Sequence, residues 1–374
     1  MDTNYSVSEL SPKLTIVLPT YNERKNIEHV LAQLLALKDD FNLEVMVVDD
    51  DSADGTSEYV RALSHSEPRL RLIRRVGRCG LASAIKEGLL DATGDIVIVM
   101  DSDGQHEPAA VRRAVKMLAE RDLDLVIGSR FHQEATIDGL SRRRERGSSW
   151  ANNAARFSLA SSYGSLTDYM SGFFALRLDT SMPSVRKVDV NGFKFLYELL
   201  SISKGQLRCD EIPLSFQPRS HGTSKLDIAI FWDFLISLLH TLSLRLLPRR
   251  AISFGIVGLS GVIVQLLTSW FLISIAGLNF SSALPFSVIL AASSNYIINN
   301  SLTFRFARLK GLRLAQGLLK FLLVASLPAI ANVGLASAFY SFIAKDVFLA
   351  QVAGIILVFV WNYAASSRLV WNTP

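Results

Sequence analysis

Three groups of acidic and polar residues mark the first part of the 374-residue chain: Pro19-Thr20-Tyr21-Asn22-Glu23, Asp49-Asp50-Asp51-Ser52 and Asp101-Ser102-Asp103-Gly104-Gln105. In the last of these an extended backbone would present the Asp101 and Asp103 carboxylates on one side, a hard oxygen pair suited to Mg²⁺ or Mn²⁺. Magnesium keeps waters, takes one or two carboxylates and completes its shell with phosphate oxygens. The ligand implied is therefore a diphosphate. A single such cluster also serves as a helix N-cap, a role that Asp51 and Ser52 suit equally well. Cations follow further along: Arg219 and Lys225 carry positive charge suited to a diphosphate, and the run GLSRRRERGSS (139–149) reads as a basic loop.

The elements that must position these groups are visible as short, apolar, β-rich runs, LTIVL (14–18), VMVV (45–48), IVIVM (96–100) and 125–127. They alternate with helical patterns at 25–38, 56–63, 80–91 and 108–121. Continuously apolar strands alternating with helices predict a mostly parallel sheet covered on both faces, with ligands at the carboxyl ends of its strands. Each acidic cluster directly follows such a strand. Three of them along one edge call for a binding site, where one alone would not.

The remainder of the chain is of another kind. Hydrophobic residues make up 49% and charged residues 20% of the whole, and mean hydropathy is +0.28, too apolar for a wholly soluble enzyme. From Ala251 to Phe304 there is neither a charge nor a histidine, and further uncharged runs cover 321–344 and 347–367. A helix of about 20 apolar residues crosses a bilayer, so these runs predict four spans, the first two near 252–276 and 282–304 with a turn from Asn279 through Pro285. The segment 226–247 keeps Asp227, Asp233, His240 and Arg245 among apolar residues and reads as interfacial helices.

The net charge of +5 is distributed unevenly. Residues 251–374 hold seven basic side chains against Asp346 alone, which leaves 32 basic and 33 acidic residues in 1–250. Nucleic-acid binding loses its electrostatic basis, because the part able to meet a polynucleotide is not basic. Arg245, Arg249 and Arg250 precede the first span, five basic residues fill 305–320, and Arg368 follows the last span. By the positive-inside rule both termini and the catalytic part face the cytosol. The first thirteen residues are polar, so no cleavable signal peptide is expected. Cys79 and Cys209 are too few and too far apart for a disulfide framework or a cysteine-rich zinc site.

PTYNE (19–23), VVDDDSADGT (47–56), GLASAIKEGL (80–89), DSDGQ (101–105), GSR (128–130), SGFFAL (171–176) and IPLSFQPRSHGTSKL (212–226) together resemble the family-2 inverting glycosyltransferases, most of all dolichol- or polyprenyl-phosphate mannose synthases. SNYIINNSLTFRF (294–306) and WNYAASSRLVW (361–371) resemble the GtrA-like four-span domain. The resemblance implies an α/β fold of GT-A type over 1–225, interfacial helices over 226–250 and a membrane domain over 251–374. It makes Pro19, Tyr21, Glu23, Asp49 and Asp50 nucleotide contacts, and Asp101, Asp103 and Gln105 the site of Mg²⁺ or Mn²⁺. Arg219 and Lys225 would then join Asp101 and Asp103 in catalysis by holding the donor diphosphate, and Arg130, Arg144 and Ser148 would receive the acceptor phosphate. Where the family often has Ser-Arg-Gly-Ala-Asn, this chain has Ser148-Ser149-Trp150-Ala151-Asn152, so the arginine of 142–146 that meets the phosphate is left open.

The implied reaction is transfer of mannose from GDP-mannose to a polyprenyl phosphate in the bilayer, with UDP-glucose or another nucleotide sugar as the alternative donor. Assembly into a homo-oligomer is compatible with the sequence. An acceptor phosphate arrives ionised, its second pKa being about 6, so Glu198 is expected to orient or support rather than act as a base. His106 is expected to be exposed. A flippase for lipid-linked sugars, with the soluble half as its loader, is the rival from another class. The spans contain no ionisable side chain to favour it. A processive polysaccharide synthase is disfavoured, since no Q-x-x-R-W sequence occurs.

Overall fold

A computed structural model of the chain describes residues 12–77, 80–132, 142–190, 194–215, 228–326 and 347–372. They fall into two compact units, one running to Thr241 and one starting at Leu242.

The first unit is built on one seven-stranded sheet. Its strands are β1 (Lys13–Thr20), β2 (Asn42–Asp49), β3 (Leu70–Arg74), β4 (Ile96–Val99), β5 (Leu125–Ser129), β6 (Phe174–Arg177) and β7 (Cys209–Pro213), in the order β3-β2-β1-β4-β6-β5-β7. All neighbouring pairs are parallel except the two made by β6, which runs antiparallel between β4 and β5. The central strands are buried on both faces, as their continuous apolar runs predict. Helices α1 (Arg24–Leu35), α2 (Thr56–Ser64), α3 (Leu81–Asp91) and α4 (Ala109–Glu120) fall on the four helical patterns. In α4 the buried positions Ala110, Val111, Ala114, Val115 and Leu118 form a single stripe at helical spacing. Helix α3 approaches the sheet closely, since a Cβ at Gly88 would lie 2.4 Å from Val17 Cγ1, and this explains the second glycine of the 80–89 motif.

The reversal of β6 has a consequence for the site. Its first residue, Phe174, pairs with Val99 of β4 and Ile127 of β5, so the residues just before it lie at the carboxyl ends of both neighbours. The chain reaches β6 through α5 (Arg142–Ser158). Residues 142–149 are thus helical where a basic loop was expected; arginine and glutamate are good helix formers, and Gly147 alone costs only about 1 kcal/mol. Helices α6 (Leu178–Lys187), α7 (Phe195–Ser203) and α8 (Ile228–Leu242) complete the unit. Phe234 of α8 is buried in the core, while Phe231 is exposed and stacks on Trp150 of α5 at 5.9 Å between ring centroids.

The second unit contains α9 (Arg249–Ser274), α10 (Phe280–Ile298) with a π-helical turn Asn299–Thr303, helical residues 312–326 (α11) and α12 (Val347–Leu369). Two described helices, Arg249–Ser274 and Phe280–Thr303, are long and apolar enough to cross a bilayer. Most of the uncharged run 321–344 lies outside the described residues. Helix α10 begins at Phe280, inside the stretch expected to turn, because the Asn279 side chain caps it, accepting from Ser282 N at 2.9 Å. Pro285 sits inside this helix near its start, where a missing N–H is tolerated. The two motifs of this unit meet. Asn300 Oδ1 accepts from Leu309 N (2.9 Å) and Trp371 Nε1 (3.1 Å), Asn300 Nδ2 donates to Leu309 O (3.1 Å), and the Trp371 ring stacks on Phe304 at 4.1 Å.

Candidate active site

The loops after β1 and β2 are laced together. Asn22, in the left-handed region at φ 57, donates from its N to Ser52 Oγ (2.8 Å), and its Oδ1 accepts from Ala53 N (3.1 Å). Glu23 N donates to Thr56 Oγ1 at 3.2 Å, and Arg24 N donates to Asp54 Oδ2 at 2.9 Å. Pro19 O accepts from Ser102 Oγ at 3.1 Å, which ties in the loop after β4. The result is a continuous polar ledge on the carboxyl edge of the sheet. Tyr21 stands out from it at 61% exposure, able to meet a planar base, and Glu23 Oε2 accepts from Asn26 Nδ2 at 2.7 Å.

Asp49 and Asp50 lie beneath that ledge. The Asp49 carboxylate is fully buried and accepts from Ser52 N (2.9 Å), Ser52 Oγ (2.5 Å) and Ser57 Oγ (2.5 Å), fixing the turn into α2. Asp50 accepts from Gly80 N at 2.6 Å and pairs with Arg75, whose side chain is only 2% exposed and also reaches Glu87 (3.1 Å) and Ser83. Burial pushes the Asp50 carboxyl above its ordinary value, with the Gly80 N–H and Arg75 pulling the other way. Arg75 carries no motif around it, and only the contact over 25 positions reveals its role.

At the end of β4, Asp103 is buried and its Oδ1 accepts from Gln105 N at 3.1 Å; Gln105 is buried beside it. Asp101 is partly exposed, and no described residue donates a hydrogen bond to its carboxylate. That carboxylate rests where Gly172 has no side chain: a Cβ there would lie 2.2 Å from Oδ2 and 2.9 Å from Oδ1. A carboxylate seated in such a cradle without a donor suits a hard cation, so the set Asp101, Asp103 and Gln105 fits Mg²⁺ or Mn²⁺. His106, expected to be exposed, is buried and meets the Phe173 ring edge-on at 5.8 Å. Burial lowers its pKa against the opposing charges of Asp101 and Asp103, so it packs behind the site as a neutral imidazole.

Arg130, after β5, is held in a fork by fully buried Asp168: Nε to Oδ2 is 2.7 Å and Nη2 to Oδ1 is 3.0 Å. Burial works against its charge, but Asp168 outweighs it and Asp101 adds to the same effect. Glu211 in turn accepts from Thr167 N (2.8 Å), Thr167 Oγ1 (2.7 Å) and Asp168 N (2.9 Å). Glu198 is fully buried on α7. Arg144 and Ser148 lie on α5, with their side chains outside the described residues, as are Arg219 and Lys225 altogether. The site therefore gathers Pro19, Tyr21, Glu23, Asp49, Asp50, Asp101, Asp103, Gln105 and Arg130 along one sheet edge. Arg75, Asp168, Gly172 and Glu211 were not picked out from sequence.

Residues 15–181 match the glycosyl transferase family 2 model, and residues 253–371 match the GtrA/DPMS transmembrane domain. Along 96% of this chain and 100% of its own length, a dolichol-phosphate mannosyltransferase of Pyrococcus furiosus is 31% identical over 363 residues. The chain belongs to the dolichol-phosphate mannosyltransferase family. A family member of the same name from Saccharomyces cerevisiae is 32% identical over 61% of this chain and 86% of its own. Among solved structures, glucosyl-3-phosphoglycerate synthase from Mycobacterium tuberculosis aligns with a TM-score of 0.47 at 21% identity, over 62% of this chain and 80% of its own. The GtrA/DPMS domain, with two described helices of spanning length, makes this family member a membrane protein.

Proposed function

We propose that the chain transfers mannose from GDP-mannose to the phosphate of a membrane polyprenol, giving polyprenyl-phosphate mannose with inversion at the anomeric carbon. The observation that carries this reading is the likeness to the Pyrococcus mannosyltransferase through both units, together with a carboxylate pair and a buttressed arginine on one sheet edge. Tyr21 and Glu23 take the nucleoside, with Pro19, Asp49 and Asp50 shaping the floor beneath it. Asp101, Asp103 and Gln105 would hold Mg²⁺ or Mn²⁺, which supplies positive charge to the departing diphosphate. Arg219 and Lys225 act on the same diphosphate. Arg130, Arg144 and Ser148 aim an acceptor phosphate oxygen at the anomeric carbon; the bond to that oxygen forms as the bond to the diphosphate breaks. No general base is needed, because the acceptor is already an anion at neutral pH. Catalysis rests on positioning and charge neutralisation.

The division at 225 and 250, the interfacial placement of 226–250, four spans over 251–374 and cytosolic termini belong to the same reading. Five basic residues between the second and third spans support the orientation. Anchoring is physically sensible, since the acceptor cannot leave the bilayer. The test is the anomeric configuration of the product. Vesicles containing the full chain, supplied with GDP-mannose, Mn²⁺ and polyprenyl phosphate, should yield a lipid whose mannosyl phosphate is β-linked, opposite to the α-linked donor. An α-linked product would exclude the single displacement.

A further inference from the structure

The five residues before Phe173, Asp168-Tyr169-Met170-Ser171-Gly172, touch both halves of the site. Asp168 grips Arg130 through two side-chain bonds, and its Oδ2 also accepts from Arg130 N at 3.3 Å. Four positions later, Gly172 forms the wall against which the Asp101 carboxylate rests. The intervening backbone is pinned from three sides. Tyr169 N donates to Asn152 Oδ1 of α5 at 2.9 Å, Ser171 Oγ donates to Gly128 O of β5 at 2.6 Å, and Glu211 of β7 accepts from the N of Thr167 and of Asp168. Tyr169 itself is buried, donates from its hydroxyl to Tyr163 O at 2.8 Å and has its phenol pushed up to about 12 by burial. A backbone so fixed cannot yield to an added methyl at 172, so the carboxylate would have to move instead.

We propose that residues 168–172 are a positioning bracket that sets the distance between the two substrates: Asp168 orients Arg130 toward the acceptor phosphate, and Gly172 seats Asp101 for the metal. The proposal deepens the reading above and rests on it. The fork with Asp168 uses Arg130 Nε and Nη2, so Nη1 takes no part in it. Asp168 and Gly172 are positioning residues, acting through Arg130 and Asp101. The bracket also reaches α5, the helix that carries Arg144 and Ser148, through Asn152. One rigid piece of backbone thus joins the metal side, the acceptor arginine and the helix of the remaining acceptor residues.

The full chain in detergent, as Asp168→Asn and Gly172→Ala, separates the two arms. Mn²⁺ binding in the presence of GDP, read as loss of the free-ion electron paramagnetic resonance signal, and acceptor KM against kcat are the readouts. Gly172→Ala should weaken Mn²⁺ by on the order of tenfold, as loss of an outer-shell support does, with acceptor KM unchanged. Asp168→Asn should raise acceptor KM by about tenfold with Mn²⁺ binding unchanged. If either variant shifts both readouts together, or neither shifts its own, the bracket is wrong. Arg130→Ala beside them distinguishes the failures: wild-type acceptor KM there overturns the acceptor role of Arg130 and this proposal with it, whereas a raised KM there with none in Asp168→Asn overturns the bracket alone. Should Asp168→Asn fail to fold, Arg130→Lys keeps the charge but cannot complete the fork, and must show the same rise.

Discussion

Arg75 is the most exposed to test of the residues that sequence did not single out, because its partners are all buried or half-buried. Arg75→Met would leave the Asp50 carboxylate, 8% exposed, with the Gly80 N–H as its remaining close donor, and would take one partner each from Glu87 and Ser83. Removing one partner of a buried pair costs about 3–5 kcal/mol, because the other charge stays out of water uncompensated. For a unit of this size 1 kcal/mol corresponds to about 2–4 °C, so the unfolding midpoint of the purified protein should fall by about 6–20 °C. Asp50→Asn in the same background removes the stranded charge and should return much of the loss.

The pH dependence has a definite sign. Burial already raises the Asp50 carboxyl above 3.8. A carboxyl raised by folding contributes stability that is full below its unfolded value and lost as pH rises through its folded value. Loss of Arg75 moves that folded value further up, so the Arg75→Met deficit should be smaller at pH 5 than at pH 8. Differential scanning fluorimetry at both pH values measures this. A fall below about 3 °C, or an equal fall in the single and double variants, would refute the claim that Arg75 and Asp50 neutralise each other.

Glu44 behaves in the opposite sense: although burial raises its carboxyl, bonds from Arg71, Thr15 and Thr93 outweigh this and lower it below 4.5, so its stabilisation is present above that value and lost as pH falls through the folded one. Glu44→Gln should therefore cost about 1.5–3 kcal/mol near pH 7 and less below pH 4.5, read from the same melting curves. Asn300→Ala removes the bond from Trp371 that joins the two motifs of the membrane unit, together with two bonds to the Leu309 backbone, and should lower its resistance to heat by about 1–3 kcal/mol, while GDP binding to the first unit stays at the wild-type level. Arg144→Ala should reduce acceptor use roughly ten- to a hundred-fold with donor affinity unchanged, and acceptor kinetics beside Arg142→Ala, Arg143→Ala and Arg146→Ala check it; equal modest losses in all four would make the run a general attractor for the membrane surface.

Local patterns carried much of the fold. The four strand runs and four helical patterns that were read from periodicity appear within a few residues of their expected bounds, because a strand buried on both faces has to be continuously apolar. β3, β6 and β7 do not read as continuous apolar runs: LRLIR at 70–74 is broken by Arg71 and Arg74 on an edge strand, FALR ends on Arg177, and CDEIP carries Asp210 and Glu211. The place of Asp101 and Asp103 at the carboxyl end of β4 was legible from the apolar run before them. Its support was not, since Gly172 meets Asp101 and Asp168 meets Arg130 only because β6 is reversed between β4 and β5. Asp49 shows the converse. Its residue type suggests ligand binding, yet its oxygens are taken up by Ser52 and Ser57, a commitment fixed by how β2 turns into α2.

The central claim is that one sugar passes from GDP-mannose to a polyprenyl phosphate in the bilayer. It is tested most directly by reconstituting the full chain into vesicles with and without polyprenyl phosphate, supplying labelled GDP-mannose, UDP-glucose and other nucleotide sugars separately, and counting label in the organic-extractable lipid. The account predicts label from GDP-mannose alone, only with the acceptor present, and none when Asp101→Ala replaces the wild-type chain. Lipid labelled by UDP-glucose but not by GDP-mannose would contradict the donor assignment, and label incorporated equally without polyprenyl phosphate would contradict the reaction.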